Sequence, residues 1–280
     1  METLYKYVKD YSAVLNISRG FLKFTEISDL NDPSELFPQM DKKSVHKSLH
    51  NIRNEGHTEE QFKWIRSQNE IIKILFPEEQ TPQAPNTIEQ ANEMIRSPIY
   101  DNAIYMEKEL SEKILLIRSR IGILSLTERY DSLPMWAHYA ANAKGYVVQF
   151  EGLNQKFKED PTGSLNVLKP VKYTENISGM TFDPSTQDNL FFSKLQDWSY
   201  EREWRIVSAL STMDSSNFSG ENKKIHLHPI EPSIITRVIC GWNVSPDNIT
   251  SLKKELHNIN PNIQVDVASF DGRKIQTKNA

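Results

Sequence analysis

The sequence predicts an α+β fold, a mixed sheet whose strands are scattered from one end of the chain to the other and carry a helical insertion. Three observations support this. Short alternating apolar runs occur near both ends and in the middle; from about residue 40 to 118 they give way to polar, charged helices; and Tyr200-Glu201-Arg202-Glu203-Trp204-Arg205-Ile206-Val207 reads as a strand with charges on a face that should be apolar. With 280 residues, 38% of them hydrophobic, the chain can bury a sizeable core, and we read 1–280 as one domain with 40–118 as an insertion or lid.

Leu4 to Val8 alternates as a strand, Ser12 to Arg19 is helical and closed by Gly20, and Phe21 to Thr25 is a second strand. In Asn31-Asp32-Pro33-Ser34-Glu35, Asp32 caps a helix, Pro33 opens it and Glu35 completes a capping box; such an N-terminus also offers N–H groups to an anion. The insertion contains helices from Glu59 to Leu75 and from Ile104 to Ile117, with a loop from Phe76 to Thr87 marked by Pro77, Pro82 and Pro85. Phe62, Ile65, Ile72 and Leu75 form a packing stripe. His46 and His50 have metal-ligand spacing, but without a HExxH pattern they read as structural, and no metal is expected.

The core resumes with a strand from Ile121 to Leu126, a short helix from Ser132 to Ala140 and a strand from Tyr146 to Phe150. Val167 to Tyr173 reads as another strand, with Pro170 near an edge, and Asp188 to Trp198 as a helix leading into the charged octapeptide. Ile234 to Gly241 is a buried strand, Pro246 to Leu256 a helix and Ile263 to Val267 the last strand. Trp136 and Tyr139, one turn apart, are either core or a platform for a planar ligand.

In an extended octapeptide Glu201, Glu203 and Arg205 share a face at intervals of roughly 6.6 Å, so the carboxylates perturb each other and Arg205 keeps one ionised. The competing reading is an exposed ion pair worth about 0 to 1 kcal/mol. A single cysteine, Cys240, excludes an internal disulfide framework, and a formal net charge of -4 argues against non-specific binding of duplex nucleic acid. No apolar run approaches the roughly 20 residues of a membrane helix, and the N-terminus lacks signal-peptide features, so no membrane and a cytoplasmic location are expected.

The ordered motifs Leu4-Tyr5-Lys6-Tyr7, Asn31-Asp32-Pro33-x-Glu35, Ser125 in its strand, Met135-Trp136-x-His138-Tyr139, Gly145, Lys194-x-x-x-Trp198 and Glu201-x-Glu203-x-Arg205 resemble a bacterial domain family of unknown function, number 2971. The strand-helix-strand opening and the late glutamate-bearing strand also resemble the ADP-ribosyltransferase fold, a split mixed or antiparallel sheet. That second resemblance implies cleavage of the nicotinamide–ribose bond of NAD, with Glu203 as the catalytic carboxylate and Glu201 and Arg205 as its electrostatic partners. It also implies NAD binding by Tyr5, Lys6 and Tyr7 of the first strand, Asn31 and Asp32, and Trp136, His138 and Tyr139. The first strand has Lys6 where that fold carries arginine or histidine, and a Ser-Thr-Ser motif is missing.

A nucleotide-like substrate, a protein or nucleic-acid acceptor, and a role as a toxin or phage-defence effector are what this resemblance implies. It requires one pocket uniting residues 5–7, 31–35, 136–139 and 201–205. Two alternatives stand beside it: a metal-dependent nuclease or phosphodiesterase using Asp32, Glu35, Glu201 and Glu203, and a non-enzymatic sensor or interaction module.

Overall fold

The computed structural model describes residues 3–32, 42–78, 83–97, 108, 112, 115–158, 165–176, 189–216 and 224–280. Strand β1 (Thr3–Val8) leads to helix α1 (Tyr11–Ser18), which buries Val14, Leu15 and Ile17, and the chain returns as β2 (Phe21–Glu26). Helices α2 (Lys42–Glu55), α3 (Glu59–Leu75) and α4 (Ile88–Ile95) follow. At the start of α3, Thr58 and Gln61 form a reciprocal capping box.

Next come β3 (Ile121–Thr127), α5 (Leu133–Tyr139), β4 (Tyr146–Glu151) and α6 (Leu153–Lys156). The short elements β5 (Leu168–Pro170), β6 (Lys172–Thr174), α7 (Asn189–Phe192) and β7 (Ser193–Leu195) precede β8 (Glu203–Ala209). The chain continues through β9 (Asp214–Ser216), β10 (Ile225–Pro229), β11 (Ile235–Cys240), α8 (Pro246–Ile259), β12 (Gln264–Phe270) and β13 (Ile275–Asn279).

Eleven strands form one mixed, mostly antiparallel sheet in the order β13-β12-β11-β4-β1-β3-β2-β10-β9, with β8 added to β3 and β5 to β8. The parallel pair within it is β11 with β12, joined by α8. Strand β3 pairs with β8 over its whole length, from Ile121 against Ala209 to Thr127 against Glu203. On its other edge it is shared: Thr127 pairs with Tyr5 of β1, whereas Gly122 and Ile123 pair with Glu26 and Thr25 of β2. The sheet therefore forks beside Leu124, Ser125 and Leu126, and the Ser125 carbonyl accepts a hydrogen bond from Lys6 Nζ at 3.2 Å.

One face of the sheet, including Leu124, Leu126, Phe150 and Ile206, packs under α1 and α8. Strand alternation sends Ile121, Ile123, Ser125 and Thr127 of β3 to the opposite face, beside Ala209, Val207, Arg205 and Glu203 of β8. The last turns of α3 cover the apolar half of this row, with Ile71 and Leu75 packed among Ile121, Ile123 and Val207. Helix α5 covers Tyr7, Val147 and Ile239 through Met135 and Trp136. Between these two covers the row turns polar, and the cleft lies there.

Several sequence expectations need correction. The charged strand starts at Glu203, not Tyr200: Gln196–Glu201 is a 3-10 turn, and Arg202 adopts a left-handed conformation at φ 44° before the strand begins. Asp188 lies outside the described residues, and the segment expected to be helical up to Trp198 is a four-residue helix followed by β7 and that turn. The strand expected over Val167 to Tyr173 is two, broken at Val171, whose N–H bonds the Glu203 carbonyl. Pro33 and Glu35 of the expected capping box, Pro82, and most of the helix expected from Ile104 to Ile117 lie outside the described residues.

Candidate functional site

The polar part of the sheet face opens into a cavity of about 380 Å3, lined from β1 by Tyr5, Lys6 and Tyr7, from β2 by Lys23 and Thr25, and from β3 by Ser125 to Thr127. Asn31, Tyr139, Lys194, Glu201 and Glu203 also line it, as do Lys9, Asp10 and Asp29.

Its most constrained wall consists of four charged side chains, each at most 5% exposed. Arg205 donates to both oxygens of Glu203, from Nε to Oε1 at 2.7 Å and from Nη2 to Oε2 at 2.9 Å, while its Nη1 donates to the Phe191 carbonyl at 3.0 Å. Lys194 bridges the carboxylates, 2.7 Å from Glu201 Oε2 and 3.3 Å from Glu203 Oε2, and its ammonium lies 4.6 Å from the Trp198 ring centroid. Tyr139 Oη donates to Glu201 Oε1 at 2.6 Å, and the Glu203 backbone N–H donates to Tyr173 Oη at 2.8 Å. Thr127 Oγ1 ties the turn before β8 to β3 by donating to the Glu201 carbonyl at 2.5 Å.

Burial alone would raise the pKa of Glu203, but the adjacent Arg205 and Lys194 charges, with hydrogen bonds from Arg205 and Ser125, outweigh it and hold the carboxyl at about 2. The opposite balance applies to Lys6. Burial at the fork dominates over the attraction of Glu203 and lowers its pKa to about 8. Burial and the Glu201 carboxylate raise the pKa of Tyr139, so its phenol remains a donor, and Asn31 adds a side-chain hydrogen bond to the same hydroxyl.

The corner after α5 fixes Tyr139. Ala141, Asn142 and Ala143 take left-handed φ values of 49°, 54° and 60°, and the Ala143 N–H bonds back to the Trp136 carbonyl at 3.2 Å. Gly241, at the end of β11, passes so close that a Cβ there would collide with the Ala143 carbonyl, and a Cβ on Gly145 would collide with the Val8 carbonyl.

Of the residues singled out from the sequence, Tyr5, Lys6, Tyr7, Asn31, Tyr139, Glu201 and Glu203 line the cavity together. Arg205 stands behind Glu203 and acts on it without lining the space. Three expected ligand contacts are displaced. Trp136 is fully buried, donates from Nε1 to the Tyr130 carbonyl at 2.7 Å and packs against Tyr7 and Trp242, so it supports the cleft from within the core. His138 faces solvent, and Asp32 is buried outside the cavity lining. Sequence reasoning left Lys194, Ser125, Tyr173 and Lys23 out of the site; the Lys194-x-x-x-Trp198 and Ser125 motifs of the family resemblance were the available signals for two of them.

The match to a known family falls on this wall. Residues 135–206 fit the family model described as protein of unknown function, DUF2971. The matched segment supplies Tyr139, Tyr173, Lys194, Glu201, Glu203 and Arg205, while Lys6, Lys23, Asn31 and Ser125 reach the same cavity from sequence before it. No curated protein and no solved structure matches the chain.

Proposed function

We propose that the cleft binds a nucleotide-like molecule and cleaves the nicotinamide–ribose bond of NAD, as a glycohydrolase or an ADP-ribosyltransferase. The observation behind this reading is the convergence in one cavity of Lys6, Lys23, Asn31, Tyr139, Glu201 and Glu203, drawn from five separate stretches of sequence. Lys6 and Lys23 suit phosphate oxygens. A carboxylate has about four acceptor sites; those of Glu203 are taken by Arg205, Lys194 and Ser125, whereas the bonds from Tyr139 and Lys194 leave Glu201 capacity for a ribose hydroxyl.

In the proposed reaction the C–N bond breaks with its electron pair leaving on nicotinamide. The oxocarbenium ion left on ribose is stabilised by Glu203 and Glu201, and water or an acceptor nucleophile attacks it and loses a proton. Arg205 and Lys194 keep Glu203 ionised for that role. In a cell, such an activity fits a toxin or phage-defence effector, with a protein or nucleic acid as acceptor.

The metal-dependent alternative has less support. Glu201 and Glu203 already bind an ammonium and a guanidinium, and among the described residues no group of three or more His, Cys, Asp or Glu is placed to hold an ion. The deciding experiment is calorimetric titration with NAD followed by a nicotinamide-release assay on the wild type, Glu201→Gln and Glu203→Gln, each checked for folding by circular dichroism. A loss of roughly 10²- to 10³-fold in release by folded variants is expected. Folded wild-type protein that neither binds NAD nor releases nicotinamide sinks the proposal.

A further inference from the structure

Two lysines that line the cleft, Lys6 and Lys194, are held in different ways. Lys194 lies 2.7 Å from Glu201 and 3.3 Å from Glu203, which fix it as an ammonium. Lys6 has no such anchor: among the described residues its amine makes no ion pair, and its hydrogen bond goes to the uncharged Ser125 carbonyl at 3.2 Å. A carbonyl oxygen accepts an N–H and repels a lone pair, so the lone pair of the neutral amine is turned away from Ser125 and is free to react. Burial, opposed by the Glu203 charge and helped by that of Lys23, favours this neutral form. The side chain is nevertheless partly exposed and lines the cavity, where a small molecule can reach it.

A desolvated lysine beside another cation is a nucleophile toward carbonyl carbon and needs no activating co-reactant. We propose that Lys6 captures a small polyhydroxy aldehyde, the open-chain form of a sugar, as an imine. The nitrogen lone pair forms a C–N bond to the aldehyde carbon while the C=O π pair moves to oxygen. That oxygen takes up the two amine protons and leaves as water, and a C=N bond remains; nothing is oxidised or reduced. Thr25, Asn31, Tyr139 and Glu201 line the same cavity and offer hydrogen-bond partners for the hydroxyls. The inference is independent of the NAD reading; if both hold, the ribose freed from NAD, opened at C1, belongs to the captured class.

The test incubates the full chain at pH 8 with glyceraldehyde and cyanoborohydride, which reduces an imine to a stable secondary amine, and locates the modified lysines by peptide mass spectrometry. Lys254 of α8, exposed to water, is the internal reference. Modification at Lys6 is expected to be roughly tenfold or more faster than at Lys254, because an ordinary lysine is almost wholly protonated at that pH. The rate at Lys6 should saturate with glyceraldehyde, while that at Lys254 rises in proportion to it. Propionaldehyde has the same carbon chain without the hydroxyls, and with it the ratio of Lys6 to Lys254 modification should fall roughly tenfold. Equal rates at the two lysines, a rate at Lys6 that does not saturate, or the same ratio for both aldehydes overturns the proposal. Every readout is on the wild-type chain, so none depends on a variant that folds.

Discussion

Two regions hold Tyr139 against Glu201, and they do so by different physics. Lys194, Glu203 and Arg205 act through charge, in a buried network built on the ion pairs that join them to one another and to Glu201. The corner of Ala141, Asn142, Ala143, Gly145 and Gly241 acts through backbone proximity, and its charged residue, Lys144, is exposed to solvent. A buried ion pair contributes modestly as a whole but is costly to break on one side, because the remaining charge has no water to turn to. A tight corner responds only to volume and dihedral preference. The charged wall should therefore be sensitive to single charge removals and to acid, and the corner to added or removed methyl groups at any pH.

The largest effect expected is from Arg205→Ala, which strands Glu203 beside Lys194 alone and should lower unfolding free energy by about 3 to 5 kcal/mol in urea denaturation. A loss below about 1 kcal/mol would mean that the wall behaves as a surface pair. Acid comes next. The Glu203 carboxyl is held at about 2 against an ordinary 4.5, so its contribution is fully present above pH 4.5 and is lost as the pH falls from there through 2. On the order of 3 kcal/mol should disappear across that window, and the loss should be absent in a folded Glu203→Gln variant.

Gly241→Ala drives a methyl group into the Ala143 carbonyl and should cost about 1 to 3 kcal/mol, by the same amount at pH 7 and pH 3.5. A strong pH dependence would show that the two regions are not separable. The smallest effect has the opposite sign. Ala141, partly exposed and at φ 49°, should gain up to about 1 kcal/mol on replacement by glycine, read as a higher melting temperature.

The same contrast explains what could be read from the sequence. The carboxylates and Arg205 stood out because charges at every second position share one face of an extended segment, although a surface ion pair explained them as well and the strand itself begins only at Glu203. Helix α3 was legible from end to end, since its capping residues and apolar stripe are local. Lys194 was not assigned to the site because its role depends on β7 turning back beside β8, a tertiary event with no local period. Trp136 takes the first of the two roles its spacing allowed: it packs in the core against Tyr7 and Trp242, not as the platform that the fold resemblance implied. Strands β9, β10 and β13 went unread because they are short or polar; Gln276, Thr277 and Lys278 of β13 carry no apolar alternation.

The fork beside Ser125 also places a titratable amine in the cleft. Lys6 holds the carbonyl there and, with a pKa of about 8, carries a proton only part of the time in mildly alkaline solution. A phosphate drawn to that amine favours its ammonium form, so in the proposed reading ligand entry takes up protons from the buffer. The heat of NAD binding at pH 8 should then vary with the ionisation enthalpy of the buffer in the wild type, and that variation should vanish in Lys6→Met. Affinity should weaken as the pH rises past 8, giving the cleft a pH response on the alkaline side that is separate from the acid lability of its wall.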